Sequence, residues 1–336
     1  MIISRTPLRA SFCGGGTDID SFSYNEEEGG MVVSTTLQSY IHITVNKRFD
    51  DRVRVSYSKM ELVDNFEDLE HELVREAMRI TGITSGVEIT TIADIPSRGT
   101  GLGSSSSVTV GLLNALHAFA GHHASPKQLA EEACMIEIEI LNQPIGRQDQ
   151  YAAAFGGINS ISFSSERVEV MPLKINKNII ERIEAEFSLV FTGLSRSASK
   201  ILSETSDSQE AKFKRLRLIR DQAFLSKKML ENGELEELGK LLANTWELKR
   251  ELSQSISNDD LDTIYDSLMD LGANGAKLLG AGGGGFFLVH GSPEFRERLL
   301  LNFGKDYKIF YIFTTSSCIL KNYKRYVCKE RINQNL

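Results

Sequence analysis

Three segments of this chain concentrate glycine beside residues with chemistry of their own: Cys13-Gly14-Gly15-Gly16-Thr17-Asp18, the stretch PSRGTGLGSSSS from Pro96 to Ser107, and Gly280-Ala281-Gly282-Gly283-Gly284-Gly285. Glycine lets backbone N–H groups approach an anion with no Cβ in the way, but it also makes ordinary tight turns. Each loop alone therefore has two readings. The middle one is the most informative, because it runs into a helical stripe formed by Val108, Leu112, Ala115, Leu116 and Phe119. A helix N-terminus offers unpaired N–H groups and the positive end of its dipole, which together suit a phosphate. Gly99, Gly101, Leu102 and Gly103 would line such a site, with Ser104, Ser105, Ser106 and Ser107 offering hydroxyls to phosphate or to a magnesium ion.

Two carboxylates could act on a bound phosphate. Transfer of a phosphoryl group needs a positioned hydroxyl, neutralised charge and a carboxylate that takes or orients the proton. Asp149, in GRQDQ after a Pro-Ile-Gly turn, is either that carboxylate or the cap of a helix. Glu137 and Glu139 compete for a metal-binding role. Ala130, Cys134, Glu137 and Leu141 follow one another at spacings of four, three and four, so Glu137 interrupts an apolar helical face. Glu139 falls beside Glu132, Met135, Asn142 and Gln143, a solvated face. A carboxylate on a buried face is costly unless paired or bound to a cation, so Glu137 is the stronger metal candidate; a structural ion pair is the other reading.

Two familiar nucleotide sites are excluded. No GxxxxGK[ST] occurs, and the middle loop lacks the lysine such a site places on the phosphates. Gly280, Gly282 and Gly285 do spell GxGxxG, but strand-like Phe286-Phe287-Leu288-Val289 follows instead of a helix.

The elements that must position these groups read as an α+β order. Strands are expected over Val32 to Lys47, Arg52 to Tyr57 and Val87 to Ile92, a helix over Phe66 to Ile80, and another from the Ser125-Pro126 cap to about Leu141. Helical patterns over Glu210 to Leu230, Leu235 to Leu252 and Leu261 to Leu271 precede a late β segment, Tyr307 to Thr314. At 336 residues the chain exceeds the size of one ordinary core, and two domains are expected, 1–185 and 186–336. The net charge of −7 with no long basic run speaks against nucleic acid, and no apolar stretch reaches membrane-spanning length. The start, MIISRTPLRA, lacks a signal peptide's apolar core, and the four cysteines are scattered without a CxxC pair, so a cytoplasmic location with reduced thiols is expected.

PLRASFCGGGTD, PSRGTGLGSSSS and KLLGAGGGGFFL resemble, in order and spacing, the three signature motifs of the GHMP kinases, and together bracket residues 7–288. Within that family the SFxGGGTD form, IEIEILNQPIGRQDQYAAAFGG and TGLSRSASKIL are similar to the sugar kinases that act on heptose 7-phosphate and, more distantly, on fucose. Asp20 stands where proline is expected. The resemblance implies a two-domain fold with an N-terminal nucleotide-binding domain of ribosomal-protein-S5-like form and a C-terminal α+β domain, with ATP and Mg²⁺ as cofactors. It implies Asp149 as base, Arg9 as the cation biasing it, and Ser105 with Glu137 on the metal. Gly15, Gly16, Thr17, Asp18, Gly282, Gly283 and Gly284 are implied at the substrate; a helix or turn cap is the other reading of Asp18. Arg147, Arg196 and Lys200 are candidates for a substrate phosphate, guanidinium and ammonium groups being suited to it. The implied reaction puts a phosphate on C1 of a heptose 7-phosphate for nucleotide-activated heptose; a fucose-type kinase and a catalytically silent sugar sensor are the alternatives. A homodimer is compatible with all of these.

Overall fold

The computed structural model describes residues 1–95, 99–194, 208–305 and 307–312, apart from the side chain of Tyr311. Two long antiparallel strands organise the first half: β1 (Ile2–Cys13) and β2 (Gly30–Lys47). At 18 residues β2 is long enough to hold β1 along one side and two further strands on the other. Its end pairs with β5 (Val87–Ala93) and its start with β6 (Ile158–Phe163). With β3 (Val53–Ser56), β4 (Met60–Val63) and β7 (Val168–Pro172) the sheet has seven strands, in the order β4-β3-β5-β2-β6-β7 with β1 on β2.

Helices α1 (Asp20–Ser23), α2 (Glu72–Thr81), α3 (Ser104–Ala120), α4 (Pro126–Cys134) and α5 (Gln148–Phe155) belong to this half. Helix α3 packs on β1, β2, α2 and α5, and its residues are buried almost all round, as expected of a helix at the centre of a domain. The second half opens with α6 (Lys177–Glu186) and builds a four-stranded antiparallel sheet, β11-β8-β10-β9, from β8 (Phe187–Phe191), β9 (Gly275–Leu278), β10 (Phe286–His290) and β11 (Ile309–Tyr311). Helices α7 (Gln209–Asn232), α8 (Leu235–Arg250), α9 (Asp259–Asp270) and α10 (Pro293–Phe303) complete it. Trp246 of α8 is fully buried, edge-on to Phe287 at 5.7 Å. The two sheets share one apolar cluster, in which Leu8 and Phe12 join Phe187, Ala223 and Leu242. Among the described residues no helix is long and apolar enough to cross a membrane.

Local chemistry explains where the elements depart from expectation. The helix expected from Phe66 is a 3₁₀ turn, Phe66–Asp68, capped by Asn65, after which Leu69 is extended and α2 starts afresh at Glu72. Ser104 to Ser107, expected as loop, form the first turn of α3. Ser125 caps α4 through Gln128 N–H as expected, but the helix then widens over Met135–Ile140 into a π turn, with Leu141 N–H donating to Ile136 O. Such turns frequently lie at functional sites. Strand β1 was not expected as a single strand, because Pro7 in its middle removes a ladder donor. The pairing shifts there, so that Pro7 faces Tyr40 while Arg9 faces Thr36.

Candidate active site

That register shift re-aims Arg9, as irregular pairing often does beside active sites. Its backbone N–H donates to Leu102 O at 3.0 Å and its Nη1 to Gly101 O. The other edge of the guanidinium forms a bidentate pair with Asp149, Nε to Oδ1 at 2.7 Å and Nη2 to Oδ2 at 2.9 Å. The Arg9 side chain is 4% exposed and that of Asp149 is 23% exposed, so the carboxylate alone faces outward. Gly103 covers the pair. A Cβ there would lie 3.2 Å from Asp149 Cγ and 3.3 Å from Arg9 Cγ, at a φ of +72° that favours glycine. First and second motifs thus meet on one ion pair.

The start of α3 lies directly beyond Gly103, which has no side chain to cap the first-turn N–H groups. That leaves these donors for an anion. Three of the four serine hydroxyls are engaged in buried contacts: Ser104 with Thr100 at 3.1 Å, Ser107 on Pro7 O at 2.9 Å, and Ser106 on Glu137 Oε2 at 2.8 Å. Ser105 is exposed, and its hydroxyl donates to Glu137 Oε1 at 2.9 Å. Glu137 itself has no exposed surface and also accepts from Gln150 Nε2 at 2.6 Å, while Glu139 is exposed. Burial pushes the Glu137 carboxyl up, the three donors oppose this, and the nearby Asp149 charge adds to the rise. A buried carboxylate with no cationic partner among the described residues, touching an exposed hydroxyl, suits a hard divalent cation. Among the described residues no group of three or more His, Cys, Asp or Glu could hold a metal ion.

The third glycine segment packs backbone to backbone against the second. A Cβ on Gly280 would lie 2.5 Å from Gly101 Cα, and Thr192 N–H donates to Gly285 O at 2.9 Å, tying the loop to the second sheet. Gly282, Gly283 and Gly284 continue it, with Gly283 N–H on Ile256 O at 2.8 Å. Two lysines absent from the sequence reading brace this junction. Lys249 of α8 donates to Leu278 O at 3.0 Å and to Gly280 O, and Lys277 of β9 donates to Ser11 O and Phe12 O, both at 2.7 Å. The available signal was Lys277 itself, a lysine interrupting an apolar strand. Burial holds Lys249 well below its ordinary value, with the charges of Lys277 and Arg9 adding.

Burial likewise lowers Lys277, to about 8. Between that value and the ordinary one near 10.5 the unfolded chain binds the extra proton, so this group makes stability rise with pH across that window and leaves it independent of pH below. Wild type should therefore gain about 1–2 kcal/mol more than Lys277→Met in urea unfolding between pH 7.5 and pH 9.5. An equal pH response in both proteins would show that the lysine is solvated.

The remaining expected substrate residues are placed as follows. Arg147 Nε lies 2.8 Å from Asp20 Oδ1, its Nη2 donates to Ser23 Oγ at 3.2 Å, and its guanidinium sits over the Tyr24 ring at 4.8 Å. The departure at Asp20 thus has its counterpart in Arg147, with which it pairs. Asp18 is 1% exposed, with its carboxylate turned to α5. Thr17 holds its own loop through Gly14 O and Met31 O. Gly15 and Gly16 remain at the loop surface facing Gln148 and Leu216. Pro96, Arg196 and Lys200 lie outside the described residues.

This site, in this pair of sheets, belongs to a known class. Residues 60–157 match the GHMP kinases N terminal domain and residues 226–306 the GHMP kinases C terminal domain, and the chain belongs to the GHMP kinases, enzymes that transfer phosphate from ATP. Among curated proteins it is 32% identical to D-glycero-alpha-D-manno-heptose 7-phosphate kinase of Campylobacter jejuni, over 91% of this chain and 94% of that one. A crystal structure described as a putative sugar kinase from Campylobacter jejuni superposes with a TM-score of 0.76 at 31% identity, covering 94% of this chain and 96% of that one. One described as a D-glycero-D-manno-heptose 1-phosphate kinase from Bacteroides thetaiotaomicron gives 0.77 at 24% identity, over 94% and 97%, and shows the shared fold.

Proposed function

We propose that this kinase transfers the γ-phosphoryl group of ATP to the C1 hydroxyl of D-glycero-D-manno-heptose 7-phosphate, giving the 1,7-bisphosphate. The observation that carries the transfer is the Arg9–Asp149 pair beside the uncapped start of α3. The choice of sugar rests on the relative 32% identical over most of both chains.

In this reading the first-turn N–H groups of α3 hold the phosphates of ATP, and glycines of the second and third loops leave room for them. Asp149 orients the sugar hydroxyl and accepts its proton, while Arg9 fixes the carboxylate geometry. Ser105 and Glu137 would hold Mg²⁺, which when bound neutralises charge building on the transferred phosphoryl group. Gly15 and Gly16 bring backbone to the sugar.

The deciding experiment measures ADP formation across free and phosphorylated aldoses, with the product's phosphates assigned by ³¹P NMR. Heptose 7-phosphate should give the highest kcat/KM and a new anomeric phosphate. A preference for free fucose or galactose, as the fucokinase relative from Arabidopsis thaliana at 27% identity would suggest, overturns the heptose assignment. Absence of ADP formation with every sugar overturns the sugar-kinase reading itself.

A further inference from the structure

Helix α5 carries Asp149 as its second residue, yet the helix has no cap of its own: Arg147 stands at the N-cap in a helical conformation, φ −97° and ψ −2°, and makes no side-chain capping bond. An N-cap normally contributes an extended residue whose side-chain oxygen accepts from the first turn. Here that oxygen comes from elsewhere in the chain. Asp18 Oδ2 accepts from Gln148 N–H at 3.0 Å, and Oδ1 accepts from Gln148 Nε2 and from Gly16 N–H, each at 3.0 Å. Arg147 N–H donates to the Asp18 backbone carbonyl at 3.2 Å, so both ends of the aspartate grip the same turn.

The fit leaves no slack. A Cβ on Gly146 would lie 2.0 Å from Asp18 Oδ2, which requires glycine there if the carboxylate is to reach the helix. Asp18 is 1% exposed, and its two oxygens already receive three N–H donors. Burial pushes its carboxyl up, with the Asp149 charge adding and the Gln148 N–H opposing. The loop bearing Asp18 is itself clamped, since Phe22 meets Phe213 of α7 edge-on at 5.3 Å and Glu26 pairs with Arg217 at 2.8 Å.

We infer that Asp18 is a positioning residue for Asp149: as the N-cap of α5 supplied by the first glycine loop, it sets the turn on which the catalytic carboxylate stands. Resting on the kinase reading above, this gives the first motif's aspartate a task in holding the base. Sub-ångström misplacement of a reacting group lowers turnover while leaving ground-state binding largely intact.

The test uses Asp18→Asn, which keeps one acceptor but sets an N–H₂ against either Gln148 N–H or the Gln148 Nε2 and Gly16 N–H donors, together with Asp18→Ala, Gly146→Ala and the Asp18→Ala/Gly146→Ala double variant. On the sugar that wild type uses best, Asp18→Asn and Gly146→Ala should each lower kcat about tenfold or more while the sugar KM stays within about threefold. The double variant should be no worse than Asp18→Ala alone, because the added methyl then meets no carboxylate. A large rise in sugar KM with kcat preserved, or additive losses in the double variant, overturns the inference. Hydrogen exchange gives a readout that needs no sugar. In Asp18→Asn the amides of residues 148–151 should exchange about tenfold faster or more while those of α3 do not change, and unchanged exchange at α5 overturns the inference even if no sugar is ever found to be phosphorylated.

Discussion

Asp149→Asn should lower kcat by about two to four orders of magnitude, the range for losing a positioned acid–base group, and leave ATP and sugar affinity within a few-fold of wild type. The substitution keeps shape and removes charge. In wild type the guanidinium of Arg9 donates to both oxygens at 2.7 and 2.9 Å, so the carboxylate is fixed in plane with one face toward solvent. The amide offers Arg9 only one acceptor and sets an N–H₂ against a second donor, leaving a 4%-exposed cation without its anion. It also cannot accept the sugar's proton. Steady-state kinetics with calorimetric measurement of ATP binding checks both halves of the expectation. Turnover within about tenfold of wild type would remove the base assignment and leave Asp149 as a residue of the first turn of α5.

How much of this was legible in the sequence follows the range of the interactions involved. The Glu137 face was readable because four apolar or acidic positions along one helix fix it locally, and the structure buries Glu137 while exposing Glu139. The Ser125-Pro126 start was readable for the same reason. The π turn was not, because it answers to what Glu137 must reach across the domain, namely Ser105, Ser106 and Gln150. The resemblance implied Arg9 and Asp149 in one site, yet 140 residues separate them and nothing local says that they touch. Asp18 is the sharper case. Its type and loop allowed a sugar ligand or a cap, but did not show that the helix it caps starts some 130 residues away. Asp20 shows the converse, a departure from its motif that finds its counterpart in Arg147. The buried lysines were missed because a helix pattern cannot reveal that Lys249 faces the carbonyls ending β9.

Glu137→Gln should raise the Mg²⁺ concentration for half-maximal activity at least about tenfold, whereas Glu139→Gln should shift it by less than about twofold. The contrast follows from what surrounds each side chain. Glu137 is acceptor-only and meets three donors, Ser105 Oγ, Ser106 Oγ and Gln150 Nε2. A glutamine there has one acceptor oxygen; its amide must confront either Ser105 on one side or Ser106 and Gln150 on the other. The hydroxyls can rotate, so the protein should still fold. What cannot be rebuilt is the negative charge, and a hard cation held by only one carboxylate and one hydroxyl loses its main electrostatic ligand. Glu139 is exposed and has no such partner to lose among the described residues. Mg²⁺ titrations at saturating ATP and sugar distinguish the two, with Mg²⁺–nucleotide binding followed by calorimetry as the check that does not depend on turnover. Equal shifts at both positions would mean that long-range charge, not ligation, sets the Mg²⁺ requirement, and the cation would then have to be held by phosphates and Ser105 without Glu137.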